Sequence, residues 1–129
     1  FSNNAQSNEI SKVVIQNENS SSISILAEVM ITESQQARGM MYRKSLDKDK
    51  GMLFLFNEPK RAVFWMKNTY IPLDLIFVKK GGSIDSIHEN LEPLSTKKIK
   101  SRNDVIAVLE ISGGLVKINK INLDSKILF

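Results

Sequence analysis

The chain has 129 residues, of which 42% are hydrophobic and 25% are charged, a composition typical of one globular domain with a single core. It contains no cysteine, which excludes disulfides, thiolate zinc sites and thiol chemistry. No window approaches the roughly 18 consecutive apolar residues that a membrane span requires, so we expect a soluble chain without one.

The net charge of +4 raises the question of nucleic-acid binding, and the densest basic run spans residues 97–102. Single-stranded nucleic acids bind where exposed aromatic side chains lie beside the cations, and this run contains no aromatic residue. We therefore expect a solvated loop or sheet edge there and no nucleic-acid partner.

Residues 1–21 are rich in Ser, Asn and Gln, with one short apolar patch at residues 13–15. This composition predicts a flexible leader that includes one peripheral strand at most. The chain begins at Phe1 rather than Met and has no export signal of its own. We therefore expect a processed or truncated form of a longer precursor; the removal of an export signal, which would place the protein in the periplasm or outside the cell, fits this start.

The folded body is predicted to be a single domain over residues 22–129, beginning with a strand at 22–31 in which apolar residues alternate. Thr32 and Gln35 then form a capping box, which predicts a short helix that ends near Arg43 or Ser45. Gly39 inside that helix costs about 1 kcal/mol relative to alanine and indicates close packing.

Four later runs are apolar on both faces, which predicts strands covered on both sides; they span residues 52–56, 62–66, 73–78 and 105–111. Gly81 and Gly82 predict a tight hairpin that pairs residues 75–78 with 84–88. A short helix at 112–119 and a strand at 126–129 complete the chain. The expected fold is mainly β, a jelly-roll-like β-sandwich or partly closed barrel with one or two short helices.

The stretch most informative about function spans residues 64–74, an apolar run interrupted by a cation, an amide, a hydroxyl and a carboxylate. A buried polar group without a partner costs about 1–3 kcal/mol, so these groups are either satisfied within the protein or kept for a ligand. Strand alternation places Lys67 on the face of Trp65, and it places Asp74 and Glu110 each at the end of an otherwise apolar strand face.

If the ends of these strands meet at one rim of the sandwich, Lys67 lies between the carboxylates of Asp74 and Glu110. These three charged groups then form the polar base of a pocket whose rim is Met52, Phe54 and Trp65. The alternative is a structural ion pair in which Asn68 and Thr69 hold the turn before Pro72. Arginines on a short helix usually extend into solvent. Of Arg38 and Arg43, Arg38 is the better candidate for a ligand contact, because Gly39 beside it leaves the backbone accessible. The candidate ligand-binding residues are therefore Arg38, Met52, Phe54, Trp65, Lys67, Asn68, Thr69, Asp74 and Glu110.

No catalytic motif or cofactor motif is present. His88 is the only histidine, which excludes zinc sites built on two or three histidines, and we expect it at the surface. The chain lacks both the Gly-x-Ser-x-Gly elbow of hydrolases and the Walker phosphate loop. The carboxylates of residues 74–92 lack the spacing of a calcium loop. We therefore expect no cofactor and no metal, and the catalytic residues, if any, are unknown.

Four blocks occur in the order characteristic of the domain of unknown function 192 family, at residues 38–43, 51–56, 64–74 and 108–111. From about Ser22 to Phe129 the chain resembles this family. The resemblance implies a compact, jelly-roll-like β-sandwich, often exported in bacteria, and no catalytic residue, because the family's biochemical role is not established. The chain departs from the family at residues 123–125, where a glycine-aspartate turn is usual. The positions that match the family signature are Arg38, Gly39, Met40, Arg43, Gly51, Met52, Trp65, Lys67, Asn68, Thr69, Pro72, Asp74 and Glu110.

Three functions are compatible with these residues. The first is an exported binding domain for a small polar or anionic molecule or a peptide end, with Lys67 as the anchor and Trp65 as the apolar wall. The second is a small enzyme in which a carboxylate acts as general base beside Lys67. The third is an accessory module that binds a partner through an exposed apolar patch. The oligomeric state is open, with a monomer as the expectation.

Overall fold

The computed structural model describes residues 8–129, which form nine strands and two short helices. The strands are β1 (Ile10–Gln16), β2 (Ser22–Met30), β3 (Lys50–Lys60), β4 (Val63–Phe64), β5 (Leu73–Val78), β6 (Ile84–Leu91), β7 (Ile99–Lys100), β8 (Val105–Ser112) and β9 (Lys126–Leu128). The helices are α1 (Glu33–Arg38), between β2 and β3, and α2 (Leu115–Ile118), between β8 and β9.

Seven strands form one sheet in the order β6-β5-β8-β3-β2-β1-β9, and β4 pairs with β7 in a small second sheet. Only the β2–β3 pair is parallel among the paired strands of residues 8–129. The two edges of the large sheet approach each other, because Ser83 bridges to Lys126 and the Ile127 amide donates to the Gly82 carbonyl at 2.9 Å. The fold is therefore mainly β, a curled sheet that forms a half-barrel with two short helices, which confirms the predicted fold class.

Both faces of the curled sheet are buried at β5, at β8 and in the first half of β3. Alternate residues of β3, β5 and β8 enter an inner cluster, exemplified by Leu53, Ile76 and Leu109. Their neighbours enter an outer cluster, such as Phe54 and Phe77, which also contains Met40 from the turn after α1 and residues from the segment 62–71. Two-sided burial explains why these strands are apolar at nearly every position, as predicted.

The start of the fold lies earlier than Ser22. Val13 and Ile15 are fully buried, and β1 pairs with both β2 and β9, so it belongs to the large sheet. An apolar patch of only three residues, at 13–15, is too short to predict a core strand. Residues 1–7 of the predicted leader lie outside the described residues.

The run at 62–66 differs from its prediction as a core strand. Only Val63 and Phe64 are paired, with β7, and residues 67–68 form a turn in which Asn68 has a φ of 55°. Ala62 and Met66 are nonetheless buried in the outer cluster. Burial without sheet pairing explains why an apolar run resembles a strand in sequence.

The capping box at Thr32 is present as predicted, but α1 ends at Arg38. Gly39 is the C-cap with a φ of 47°, a conformation that side chains rarely adopt. A Cβ added to Gly39 would lie 3.3 Å from the Phe54 ring, so the glycine also allows the turn to pack on β3. Among residues 8–129 no helix has the length and apolarity that crossing a membrane requires.

Arg43 is held by an ion pair with Glu28 of β2. The two terminal guanidinium nitrogens of Arg43 donate to that carboxylate, and the Asn8 side-chain amide also donates to it at 3.0 Å. The hydrogen bond from Arg43 lowers the pKa of Glu28. Arg43 therefore fastens the segment after α1 to β2.

We expect Glu28→Gln to lower the free energy of unfolding at pH 7 by about 1 kcal/mol, because solvent weakens a half-exposed ion pair. A carboxyl group with a lowered folded-state pKa stabilises the fold above its unfolded pKa near 4.5, and this contribution is lost as the pH falls through the folded value. Urea denaturation at pH 7 and pH 3 measures it, with the exposed Glu58→Gln as control. An equal loss at both values would contradict an ionic origin.

Candidate functional site

A pocket of about 260 Å³ opens on the outer face of the sheet. Its walls are the end of α1 with the turn that follows, Phe54, Phe56 and Lys60 of β3, residues 62–65, and two buried polar residues, Thr69 and Glu110. The wall combines apolar and aromatic side chains with five polar ones, Gln36, Arg38, Lys60, Thr69 and Glu110, so a ligand could form both apolar and directional polar contacts.

Glu110 reaches this pocket because of the register of β8. It pairs with Met52 of β3 and with Leu75 of β5, and both neighbours belong to the outer cluster. The residue is 4% exposed, and its carboxyl group forms no hydrogen bond or ion pair with residues 8–129. Burial raises the pKa of Glu110 to about 8, so the group is mostly protonated at neutral pH.

Two lysines lie on aromatic rings at the pocket. The Lys60 ammonium is 4.4 Å from the centroid of the Phe56 ring, and the Lys67 ammonium is 5.1 Å from that of the Trp65 ring. Trp65 is 43% exposed, so this ring is accessible from solvent. The negative faces of these rings therefore attract cations at the mouth of the pocket.

The other side of the mouth carries Arg38, the last residue of α1. Its guanidinium carbon is 5.7 Å from the centroid of the Tyr42 ring. Below it, Gly39 and Met40 pack over Phe54, which joins α1 to the sheet.

The turn at 67–69 is held by its own hydrogen bonds. The Asn68 amide donates to the Tyr42 hydroxyl at 2.9 Å, and the Thr69 hydroxyl donates to the Lys67 carbonyl at 3.1 Å. The Tyr42 amide in turn donates to the Asn68 carbonyl at 2.8 Å. These contacts fix the segment that carries Trp65.

Asp74 lies on the opposite face of the sheet from Glu110. It pairs with Ile111 of the inner cluster, and it is fully buried. Its carboxylate accepts three backbone N–H groups: that of Asn90 at 2.8 Å, that of Gly114 at 3.1 Å and that of Val116 at 2.8 Å. Asp74 thus caps the N-terminus of α2, which has no side-chain cap of its own.

The structure therefore brings some of the candidate residues together and separates others. Lys67 lies on Trp65 at the mouth, Met52 is buried beside Glu110, Asn68 is bonded to Tyr42, and Asp74 is on the other face. The candidates that line the pocket are Arg38, Phe54, Trp65, Thr69 and Glu110.

Sequence reasoning missed part of the pocket wall. Phe56 follows Phe54 on the same face of β3, so strand alternation could have identified it. Lys60 lies beyond a register shift between Leu55 and Lys60, which no sequence pattern indicates. Within residues 8–129, no three His, Asp or Glu side chains gather where they could hold a metal ion.

The fold and the pocket define a class: a small mixed-sheet β domain with a partly enclosed pocket lined by aromatic side chains, two cations and one buried carboxyl group. Residues 13–129 match the domain of unknown function 192 family (DUF192), described as Uncharacterized ACR, and the chain belongs to this family. No curated protein matches the chain.

Two solved structures share the fold. One, from Sinorhizobium meliloti 1021, is described as that of a proposed transcription regulator; it is 35% identical, with a TM-score of 0.94, and the alignment covers 97% of each chain. The other, a protein of unknown function from Novosphingobium aromaticivorans DSM 12444, is also 35% identical, with a TM-score of 0.89. That alignment covers 93% of this chain and 85% of the other.

Proposed function

We propose that this protein is a binding domain for a small molecule that carries a polar or anionic group, held in the pocket between α1 and β3. The observation that carries the proposal is Glu110, a buried carboxyl group on the pocket wall without a hydrogen-bonding partner among residues 8–129. A group in that state destabilises the empty protein, and a ligand that hydrogen-bonds to it would remove the penalty.

The rest of the pocket supports a ligand with one apolar and one polar part. Phe54, Phe64 and Trp65 offer apolar and aromatic contact. Arg38 and Lys60 offer positive charge at the wall. An anionic group would lie near these two cations, which we propose as its anchor instead of Lys67, because Arg38 and Lys60 line the pocket and Lys67 does not.

Trp65 is the sole tryptophan of the chain and lines the pocket, so its fluorescence reports occupancy. We expect small molecules extracted from the purified protein, identified by mass spectrometry, to change this fluorescence when added back. Glu110→Gln should weaken that binding at least tenfold, because the amide can neither ionise nor donate an O–H hydrogen bond to the ligand. The exposed Glu92→Gln serves as the matched control and should bind normally. Extracts and metabolite panels that leave Trp65 unchanged would overturn the proposal.

A second candidate is a small enzyme in which Glu110 transfers a proton. The observation that favours it is the pKa of about 8, since a general acid or base works best when its pKa lies near the working pH. Turnover of the molecule found above, with a rate that depends on one group of that pKa and is lost in Glu110→Gln, would select the enzyme over the binding domain.

We also propose that binding takes place outside the cytoplasm, in the periplasm or beyond the cell, as the family resemblance implies. Cell fractionation of the tagged full-length protein measures this. Recovery with cytoplasmic markers would overturn it.

A further inference from the structure

We propose that the ligand is a zwitterion, with an ammonium group directed to Glu110 and an anionic group directed to Arg38 and Lys60. This inference rests on the proposed function and names the chemical class that the same pocket would accept. It follows from the distribution of charge around the pocket rather than from its size.

The charged groups of the pocket wall differ in burial, because both cations are on exposed residues and the carboxyl group is buried. The charged groups that line the pocket are Arg38 of α1, Lys60 at the end of β3, and Glu110 of β8. Neither cation forms an ion pair with Glu110, whose pKa is raised by burial. A carboxylate in such a place is stabilised most by a cation brought by the ligand.

The pocket rings are suited to a cation as well. Two ammonium groups of the protein already lie on rings of this wall, Lys60 on Phe56 and Lys67 on Trp65. Phe54 and Phe64, which meet edge to face at 4.9 Å, continue the same aromatic wall. Aromatic walls beside a carboxylate are a recurring way to hold an ammonium group.

The positive charge of a simple amine would nevertheless be repelled by those of Arg38 and Lys60. A molecule with an anion at its other end would turn that repulsion into attraction. The charge order of the pocket wall, cations and then a buried carboxyl group, is thus complementary to a zwitterion.

Four probes that share a six-carbon chain test this inference: 6-aminohexanoate, hexylamine, hexanoate and hexanol. We expect 6-aminohexanoate to bind most tightly, at least tenfold better than hexanoate, as measured by Trp65 fluorescence. Lys60→Met should reduce the preference for 6-aminohexanoate over hexylamine. Lys98→Met, an exposed lysine outside the pocket wall, should leave it unchanged.

Proton release provides a second, independent readout. Binding of an ammonium group ionises Glu110, so nearly one proton should be released for each ligand bound at pH 7, and affinity should rise about fiftyfold in total from pH 6 to 8. Titration calorimetry in Tris and in phosphate buffer measures the released protons. Glu110→Gln should abolish both the release and the pH dependence.

The two proposals fail in different ways. If 6-aminohexanoate does not bind at millimolar concentrations, or binds without releasing a proton, the zwitterion is wrong. If hexanoate or hexanol binds instead, the proposed binding function still stands. Only when all four probes and the cell extract leave Trp65 unchanged do both proposals fall.

Discussion

The free energy of unfolding is expected to fall by about 1.4 kcal/mol for each pH unit between roughly pH 4.5 and 8, and the Glu110→Gln variant should lack this fall. The effect is large because Glu110 is buried without an ionic or hydrogen-bonding partner among residues 8–129.

The sign follows from the protonation of the two states. Unfolded Glu110 ionises above its ordinary value of 4.5, whereas the folded group keeps its proton up to about pH 8. Between these values the folded state binds more protons than the unfolded state, so raising the pH favours unfolding. The stabilisation is complete below pH 4.5, declines as the pH rises, and is fully lost above pH 8.

Urea denaturation of the wild type, Glu110→Gln and the control Glu92→Gln from pH 4 to 9 measures this difference. The wild type and the control should share one profile, and Glu110→Gln should become the most stable of the three at high pH. If all three profiles run parallel, Glu110 is ionised or solvated in the folded protein. The proposed pocket would then lack its unpartnered group.

This pH dependence bears on function because Glu110 weakens the domain at neutral pH. A methionine or leucine at this place in the outer cluster would avoid the penalty, as Met52 and Leu75 do on either side. Departures from the rules of core packing are expected mainly at functional sites. The position of Glu110 on the wall of an accessible pocket is consistent with that expectation.

Much of the fold could be predicted from local patterns. The Gly81–Gly82 hairpin pairs β5 with β6 as expected, and both glycines have positive φ. The alternation in β5 places Asp74 with Ile76, as counted from the sequence. These predictions succeed because period and turn chemistry are local properties.

The site itself was harder to predict, because it depends on register between strands distant in sequence. Asp74 pairs with Ile111 rather than with Glu110, and a shift of one residue is enough to place two carboxylates on opposite faces. Nothing in either strand alone specifies that offset. The sequence could identify charged groups at the ends of apolar strands, but it could not show which of them share a pocket.

Asp74→Ala is expected to lower the free energy of unfolding by about 3–5 kcal/mol, because it leaves three backbone N–H groups, those of Asn90, Gly114 and Val116, without their acceptor. The loss should concentrate at α2, whose first turn has no other side-chain cap. Asp74→Asn retains one acceptor oxygen and should lose less.

Chemical denaturation measures the loss, and hydrogen exchange of the Gly114 and Val116 amides locates it. The exposed Asp124→Ala is the control and should change stability by less than about 0.5 kcal/mol. Because Asp74 faces the inner cluster, Asp74→Asn should leave binding at Trp65 unchanged while Glu110→Gln weakens it. A loss of binding in Asp74→Asn at full stability would show instead that both carboxylates serve one site. That outcome would support the single polar cluster of Lys67, Asp74 and Glu110 that the sequence predicts.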